Sequence, residues 1–194
     1  MVTADEVGRS LRGTVDLLNQ RVEGLQAFDF SETSFWRSFS AVLLTLPAYV
    51  VSLSLERQRL FMSEPSVVVG DGALMVLIAL SHLAGFVALP IVMIWIARRL
   101  HLGHRYVPFV IVINWIAVIG MNLLSLPAAL LLMGWATPSL AWVFTVGFAV
   151  VLLRLQWFGT KVTLGVPGSL AAAIVGLGVG LNFVVGALFR TLIG

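Results

Sequence analysis

The feature that most constrains the fold is a series of apolar stretches, each about as long as a bilayer is thick. A transmembrane helix needs about 20 predominantly apolar residues to cross a hydrocarbon core of ~30 Å. Five stretches of about this length occur, at 35–55, 73–97, 107–133, 140–157 and 170–188. The sequence therefore predicts an all-α integral membrane protein, a bundle of about five transmembrane helices within a domain at 31–194.

Composition excludes an ordinary soluble domain. Of the 194 residues, 59% are hydrophobic and 11% are charged, whereas soluble domains carry roughly 25% charged residues. A small globule cannot bury so much apolar surface, because folding hides only about 70% of what the unfolded chain exposes. The chain has no cysteine, which excludes disulfides and thiolate metal sites.

The N-terminal segment, 1–30, has the pattern of an amphipathic helix. Thr3 and Glu6 have the spacing of a capping box. Apolar residues then recur every three or four positions, which places them on one helical face: Val7, Leu11, Val15, Leu18, Val22 and Leu25. This face predicts a helix lying in the membrane interface. The alternative is a helix that packs on cytoplasmic loops or on a partner.

The distribution of charge predicts the orientation. All nine acidic residues lie in the first 71 positions, so the alkaline pI reflects cations at the ends of apolar stretches and not a nucleic-acid-binding face. With a cytoplasmic N-terminus the inner segments hold nine cations, at Arg9, Arg12, Arg21, Arg37, Arg98, Arg99, Arg105, Arg154 and Lys161. The outer segments hold three, at Arg57, Arg59 and Arg190. The positive-inside rule therefore predicts an external C-terminus. Eleven arginines against one lysine, with heavy use of alanine, glycine, leucine and valine, suggest a GC-rich bacterial genome, so the expected location is a bacterial inner membrane.

Polar residues inside the spans are candidates for function, because they are costly in lipid. Counting inward from the loops at 1.5 Å per residue gives a possible layer near mid-membrane, formed by Tyr49, His82, Asn122, Thr145 and Asn182. His82 and Asn122 are expected within hydrogen-bonding reach, because their depths match. The layer serves either as interhelical hydrogen bonding or as part of a transport path.

A basic loop follows the second span. His101 and His104 have a spacing that metals can use, but Arg98, Arg99 and Arg105 surround them with positive charge. That field opposes a divalent cation and suits anionic lipid headgroups at the cytoplasmic surface. We therefore expect lipid contacts from this loop, and neither a metal site nor a cofactor.

The fifth span carries a ladder of small residues at Ala172, Gly176 and Gly180. Such a ladder lets a second helix approach closely, either from the same chain or from a partner or second copy. Signatures of zinc hydrolases, serine hydrolases and nucleotide-binding loops are absent from the sequence. We therefore expect no enzymatic activity.

The order of these parts resembles bacterial members of the Yip1 family. The resemblance covers the membrane region in outline, and its clearest stretch is 98–127, where Arg105-Tyr106-Val107-Pro108-Phe109 follows a basic loop. It implies five spans, a cytoplasmic N-terminus and a membrane-organising scaffold without catalysis. The expectation is thus a non-enzymatic protein that associates laterally with proteins or lipids; the alternatives are a small transporter or channel, or an accessory subunit of a membrane complex.

Overall fold

The regular structure is helical throughout residues 3–63 and 71–193, which the computed structural model describes. The helices are α1 (Ala4–Leu18), α2 (Glu32–Ser40), α3 (Leu46–Ser63), α4 (Asp71–Arg99), α5 (Gly103–Leu132), α6 (Pro138–Leu164) and α7 (Gly168–Ile193). Five segments are long and apolar enough to cross a membrane, at Glu32–Gln58, Gly72–Arg99, Gly103–Leu132, Pro138–Leu164 and Gly168–Leu192. The fold is thus that of a polytopic membrane protein. Between the first two spans, α3 continues to Ser63 and α4 begins at Asp71, and residues 64–70 lie outside the described part.

The first span is interrupted near its middle. A 3-10 turn at Ala41–Thr45 joins α2 to α3, and Pro47 follows it as the second residue of α3. Proline has no backbone N–H, and its ring clashes with the carbonyl four residues earlier, so a regular helix cannot run through this position. The tighter turn accommodates the break, and the hydroxyl of Thr45 donates to the Val42 carbonyl at 2.6 Å.

Helix α5 forms the centre of the bundle and makes close Cα approaches to α1, α2, α3, α4 and α6. Its stretch from Phe109 to Ile116 is buried, with the side chains of Phe109, Trp115 and Ile116 at most 1% exposed. Helix α6 packs against it closely, because Gly159 leaves room for Ile116 and Gly120 faces Leu152.

Helix α7 lies at the edge of the bundle and packs on α4 and α6. Against α4, the side chain of Leu89 covers Gly178, and the amide of Asn182 lies over Gly85. We call the end with the α4–α5 and α6–α7 turns the inner end, after its expected orientation. The outer end then holds the end of α3, the beginning of α4 and the end of α7.

The N-terminal helix packs on protein as well as presenting a surface outward. Thr3 caps α1, since its hydroxyl accepts from the Glu6 N–H at 3.3 Å. Helix α1 contacts α5 and α6 and folds back onto the 3-10 turn at Val22–Ala27. Its buried face consists of residues Glu6, Ser10, Gly13, Thr14 and Leu17. Of the predicted stripe, Val7, Leu11, Leu18 and Leu25 are partly buried against the core, whereas Val15 and Val22 are exposed.

The entry to the first span has a defined cap. Ser31 is the N-cap of α2, because its side chain accepts from the Ser34 N–H. Asp29 accepts hydrogen bonds from the hydroxyls of Ser34 and Ser31, at 2.7 and 2.9 Å. The bonds from Ser34 and from Ser31 lower the pKa of the Asp29 carboxyl, because they stabilise its charged form. The charge therefore remains beside the positive end of the helix dipole.

Candidate functional site

His82 is the centre of a polar cluster between α3 and α4. Its Nδ1 lies 3.0 Å from the Ile78 carbonyl, and its Nε2 lies 3.5 Å from the Ser52 hydroxyl. A carbonyl oxygen only accepts, so Nδ1 carries a hydrogen in this contact, and in the tautomer that has its hydrogen on Nδ1 alone Nε2 faces Ser52 as an acceptor. The Tyr49 ring meets His82 edge-on at 5.8 Å, and the Tyr49 hydroxyl donates to the Met75 carbonyl. Two residues of the predicted layer thus lie together.

Asn122 belongs to a different contact. Its Nδ2 donates to the Leu44 carbonyl at 3.0 Å and to the Val118 carbonyl at 2.9 Å. Leu44 lies in the 3-10 turn before Pro47, so the amide of α5 satisfies backbone at the break in the first span. The expected hydrogen bond between His82 and Asn122 is therefore not formed, because matching depths do not fix the rotation of either helix.

The remaining two residues of the predicted layer lie elsewhere. Thr145 is exposed and donates to the carbonyl of Ala141 in its own helix. Asn182 donates to the Gly178 carbonyl, and its Oδ1 faces Gly85 of α4. Of the five residues, only Tyr49 and His82 contact each other among these hydrogen-bond and ring contacts.

A cleft opens beside His82 at the outer end. It has a volume of about 180 Å³ and lies between α3, α4 and α7. Ser52 and Glu56 line it from α3, Ser81 and His82 from α4, and Arg190 from α7. Leu77, Ile78, Gly186 and Phe189 supply its apolar wall. The cleft thus combines a carboxylate, a guanidinium and neutral polar groups within one cavity.

Within the cleft, the hydroxyl of Ser52 and the imidazole of His82 face each other. Ser52 and His82 could suggest a nucleophile and its base, but 3.5 Å is long for that bond. Acyl transfer also needs donors aimed at a developing oxyanion, and the described wall is made of helical segments, whose internal N–H groups bond within the helix. Among the described residues that line the cleft, Arg190 is the charged donor.

The basic turn between α4 and α5 is exposed. Arg98, Arg99, His101 and His104 are all exposed, and His101 has a positive φ of 57° that reverses the chain. Arg105 differs from its neighbours, because its guanidinium lies against Gly165, which ends α6 in a left-handed conformation. This places a cation at the negative end of the α6 dipole. Arg105 therefore has a structural contact, and the other four residues are presented outward.

The small-residue ladder of α7 faces away from the described chain. Ala172, Gly176 and Gly180 are exposed, and a Cβ added at either glycine would meet no atom within 4 Å. Gly178, on another face of the helix, is the glycine that packs, under Leu89. Of the two alternatives for the ladder, packing within the chain is not formed among the described residues.

Sequence analysis missed two buried polar contacts at the inner end. Asn114 is 0% exposed, donates to the Ser38 hydroxyl at 2.9 Å and leaves its Oδ1 without a protein partner. Arg37 forms an ion pair at 3.6 Å with Glu6, which is largely buried. Asn114 could have been found by considering every amide in a predicted span, instead of those near mid-membrane. The ion pair of Glu6 with Arg37 could not have been found from the sequence, because only the fold brings α1 close to α2.

No group of three or more potential metal ligands occurs among residues 3–63 and 71–193. The expectation that His101 and His104 do not hold a metal stays a prediction, since the structure carries no ions. In comparisons with known proteins, no family model, no curated protein and no solved structure matches the chain.

Proposed function

We propose that this chain is a non-enzymatic protein of a bacterial inner membrane that acts by lateral association, chiefly with anionic lipid. The observation that supports this function is the exposed basic turn at Arg98, Arg99, His101 and His104. From Gly72 onward the sequence contains no carboxylate, so counter-charge for this turn is scarce in its own half of the chain. Lipid phosphates are available at this depth and bind juxtamembrane cations.

The arginines of this turn differ from two other arginines of the chain in having no carboxylate neighbour among the described residues. Arg21 lies 3.7 Å from Asp16, and Arg37 lies 3.6 Å from Glu6, so these two side chains already have carboxylate neighbours. Neither Arg98 nor Arg99 has such a neighbour among the described residues. The proposed orientation, with α1 cytoplasmic, places the turn at the leaflet whose surface potential is negative.

Lipid retention tests this function. The protein would be purified in a mild detergent, and its bound phosphatidylglycerol and cardiolipin counted by native mass spectrometry. The double variant Arg98→Gln/Arg99→Gln should retain fewer anionic lipids, since each cation near the surface contributes about 1 kcal/mol. Arg21→Gln removes the same charge from a paired side chain and should retain the wild-type number. Equal retention in all three proteins would contradict the proposal.

The absence of catalysis is tested at the Ser52–His82 pair. An activated serine reacts with a fluorophosphonate, whereas an ordinary hydroxyl does not. We expect no labelling of the folded protein in membranes, and the same background in Ser52→Ala. Labelling of wild type that is lost in Ser52→Ala and His82→Gln would instead identify a hydrolase.

A second candidate, an accessory subunit, is favoured by the outward-facing ladder of α7. Small residues on an exposed face allow close approach of another transmembrane helix. The cysteine-free chain permits a clean test, in which Gly176→Cys is crosslinked in native membranes. Val150→Cys, on an exposed face of α6, is the control. A crosslinked band that is specific to Gly176→Cys supports a partner at this face, and its mass separates a second 21.0 kDa copy from another protein.

The transporter alternative is not favoured, because the polar residues on which it depended lie in separate places. The resemblance to the Yip1 family stays a hypothesis, and a membrane-organising role agrees with what that resemblance implies.

A further inference from the structure

One face of α6 changes from apolar to cationic towards the inner end of the bundle. Residues that are spaced alternately by four and three positions lie on one side of a helix. Six residues of α6 have this spacing, and we call them the α6 stripe: Val143, Gly147, Val150, Arg154, Trp157 and Lys161. Trp157 is partly buried and the other five are exposed. The stripe therefore presents an apolar part and a charged part on the same surface.

The ring of Trp157 brings the two cations of the stripe closer together. Its Nε1 donates to the Gly168 carbonyl at 2.9 Å, and a Cβ added at Gly168 would lie 3.1 Å from the ring, so the ring has a fixed position. The Nζ of Lys161 lies over this ring, 5.3 Å from its centroid. Side chains of a helix lean towards its N-terminus, and this contact holds the ammonium near the level of Trp157. The ammonium therefore lies nearer to Arg154 than the backbone of Lys161 does.

The depth of the stripe corresponds to one leaflet of a bilayer. Helix α6 begins at Pro138, close to the exposed Trp135, and such aromatic residues are typical of a membrane interface. At 1.5 Å per residue, Trp157 lies about 28 Å beyond Pro138, near the other boundary of a ~30 Å hydrocarbon core. The guanidinium of Arg154 can reach this boundary by extending its side chain. The stripe from Val143 to Arg154 covers about 16 Å, close to half the thickness of the core.

The two cations have no counter-charge in the described part of the chain. Neither Arg154 nor Lys161 forms an ion pair with a carboxylate there. Lys161 lies in the last turn of α6, where the helix dipole favours a cation. Arg154 lies about three turns before Leu164, and the effect of the dipole falls off within the last turn. Because an unpaired charge at the edge of the hydrocarbon is costly, an external anion would stabilise Arg154.

We propose that the α6 stripe binds one anionic phospholipid, with its phosphate between Arg154 and Lys161 and an acyl chain along 143–150. A guanidinium and an ammonium both donate to phosphate oxygens. Two cations without a carboxylate favour a net anion over a zwitterion, whose own cation they would repel. The stripe belongs to α6, whereas the basic turn joins α4 to α5, so this inference does not rest on lipid binding by the turn.

The number of bound lipids tests this site. Purified protein would be titrated with phosphatidylglycerol in a mild detergent, and the bound lipids counted by native mass spectrometry. Arg154→Gln and Lys161→Gln should each bind one lipid about fivefold more weakly, as expected for the loss of one cation near the surface. The double variant Arg154→Gln/Lys161→Gln should lack one lipid of the wild-type number, because both cations hold the same phosphate. Loss of two lipids, or of none, would overturn the proposal.

A second background separates the stripe from the basic turn. Adding Arg154→Gln/Lys161→Gln to the variant Arg98→Gln/Arg99→Gln should still remove one lipid, whatever the turn itself binds. Arg21→Gln removes a cation that has Asp16 as a neighbour and should keep the wild-type number. If the same lipid remains bound in the fourfold variant, the stripe is not its site and the proposal is wrong.

Matched ligands test the lipid itself. Phosphatidylcholine with the same acyl chains has the phosphate but no net charge, and its binding should not differ between wild type and Arg154→Gln/Lys161→Gln. Excess inorganic phosphate should not displace phosphatidylglycerol from the wild-type chain, because the ion cannot use the apolar part of the stripe. An equal loss of phosphatidylcholine in the double variant, or displacement by inorganic phosphate, would contradict an anionic lipid as the ligand.

A substitution that keeps both charges tests the role of the ring. Trp157→Leu should weaken phosphatidylglycerol binding, because the ammonium of Lys161 is then no longer held near Arg154. Trp142→Leu alters an exposed tryptophan near the other end of α6 and should bind as the wild type does. Should Trp157→Leu fail to fold, Trp157→Phe retains a ring and removes the donor to Gly168, and we expect weaker binding there also. Wild-type affinity in the folded Trp157 variant would overturn the proposed geometry of the site.

Discussion

At the scale of single residues, most polar side chains in the spans bond to backbone carbonyls. Thr45, Ser54, Ser125 and Thr163 each donate to a carbonyl three or four positions earlier. In lipid such a bond within one helix satisfies the hydroxyl without a partner on a neighbouring helix. A polar residue in an apolar stretch is therefore informative only when its partner lies on another helix.

Asn122 meets that condition and provides the first prediction. Asn122→Leu keeps the size of the side chain but leaves the Leu44 carbonyl without the donor it has in the 3-10 turn. We expect a loss of about 1 to 2 kcal/mol in the free energy of unfolding, measured by denaturation in mixed micelles. Thr145→Val, which removes a bond within α6 only, should change it little. Equal effects of the two substitutions would contradict the assigned contact.

The separate contacts of His82 and Asn122 show which features of the candidate site can be predicted from the sequence. Depth along each span follows from counting, so His82 could be selected as a candidate from its position alone. Rotation about the helix axis does not follow from counting in spans that are apolar all round, since no amphipathic pattern identifies the inward face. His82 and Asn122 were therefore expected together and lie apart, and the approach of Glu56 and Arg190 to His82 could not be expected.

At the scale of elements, α1 depends on one close approach of backbone to backbone. A Cβ at Gly13 would lie 2.7 Å from the Gly24 carbonyl oxygen, and a Cβ at Gly24 would lie 2.7 Å from that of Gly13. The two glycines therefore allow α1 to fold back on the following 3-10 turn. Without this contact, α1 would lose its close packing against the 3-10 turn that follows it.

Substitutions of glycine test this packing of α1 against the 3-10 turn at Val22–Ala27, which we call the hairpin. Gly13→Ala should displace the 3-10 turn, at a cost of about 1 to 3 kcal/mol, and should speed trypsin cleavage after the exposed Arg21. Gly8→Ala is the control, because no atom lies within 4 Å of its added Cβ. There alanine should favour the helix by about 0.5 to 1 kcal/mol and slow the cleavage. Identical cleavage rates would show that the hairpin does not form.

Aspartate substitutions separate protein packing from lipid contact in α1. Leu17 is 0% exposed and Val15 is 49% exposed. Leu17→Asp should release the segment, because it buries a carboxylate among apolar side chains. Val15→Asp should release it from the membrane only if this face lies in the interface. We expect both variants to be cleaved faster near Arg21 in proteoliposomes, and Leu17→Asp alone in detergent. Wild-type cleavage of Val15→Asp in proteoliposomes would mean that the exposed side of α1 faces water.

At the scale of the whole molecule, the number and order of spans could be predicted because length and hydropathy determine them directly. The helices extend beyond the predicted stretches, as α6 does by running from Pro138 to Leu164. Polar residues such as Lys161 and Thr163 continue a helix past its apolar part, so hydropathy underestimates its length. The central position of α5 was not predicted, since all the spans are similarly apolar and only packing distinguishes them.

The orientation of the bundle provides the last prediction, because packing does not determine it. A fluorescent reporter inserted after Leu100 or Gly165 should be active in the cytoplasm, and alkaline phosphatase inserted after Gly134 or Gly194 should be active outside. The reason is that the expected inner segments hold nine cations and the expected outer segments hold three. Replacing Arg98, Arg99 and Arg105 by glutamine leaves six against three, which should weaken this preference and produce a mixed population. Replacing Arg57 and Arg59 removes outer cations instead and should leave the orientation uniform. An external signal at Leu100 in the unaltered chain would mean that the bundle has the reverse orientation. The basic turn would then lie at the outer leaflet and not at the cytoplasmic leaflet that is proposed to bind it.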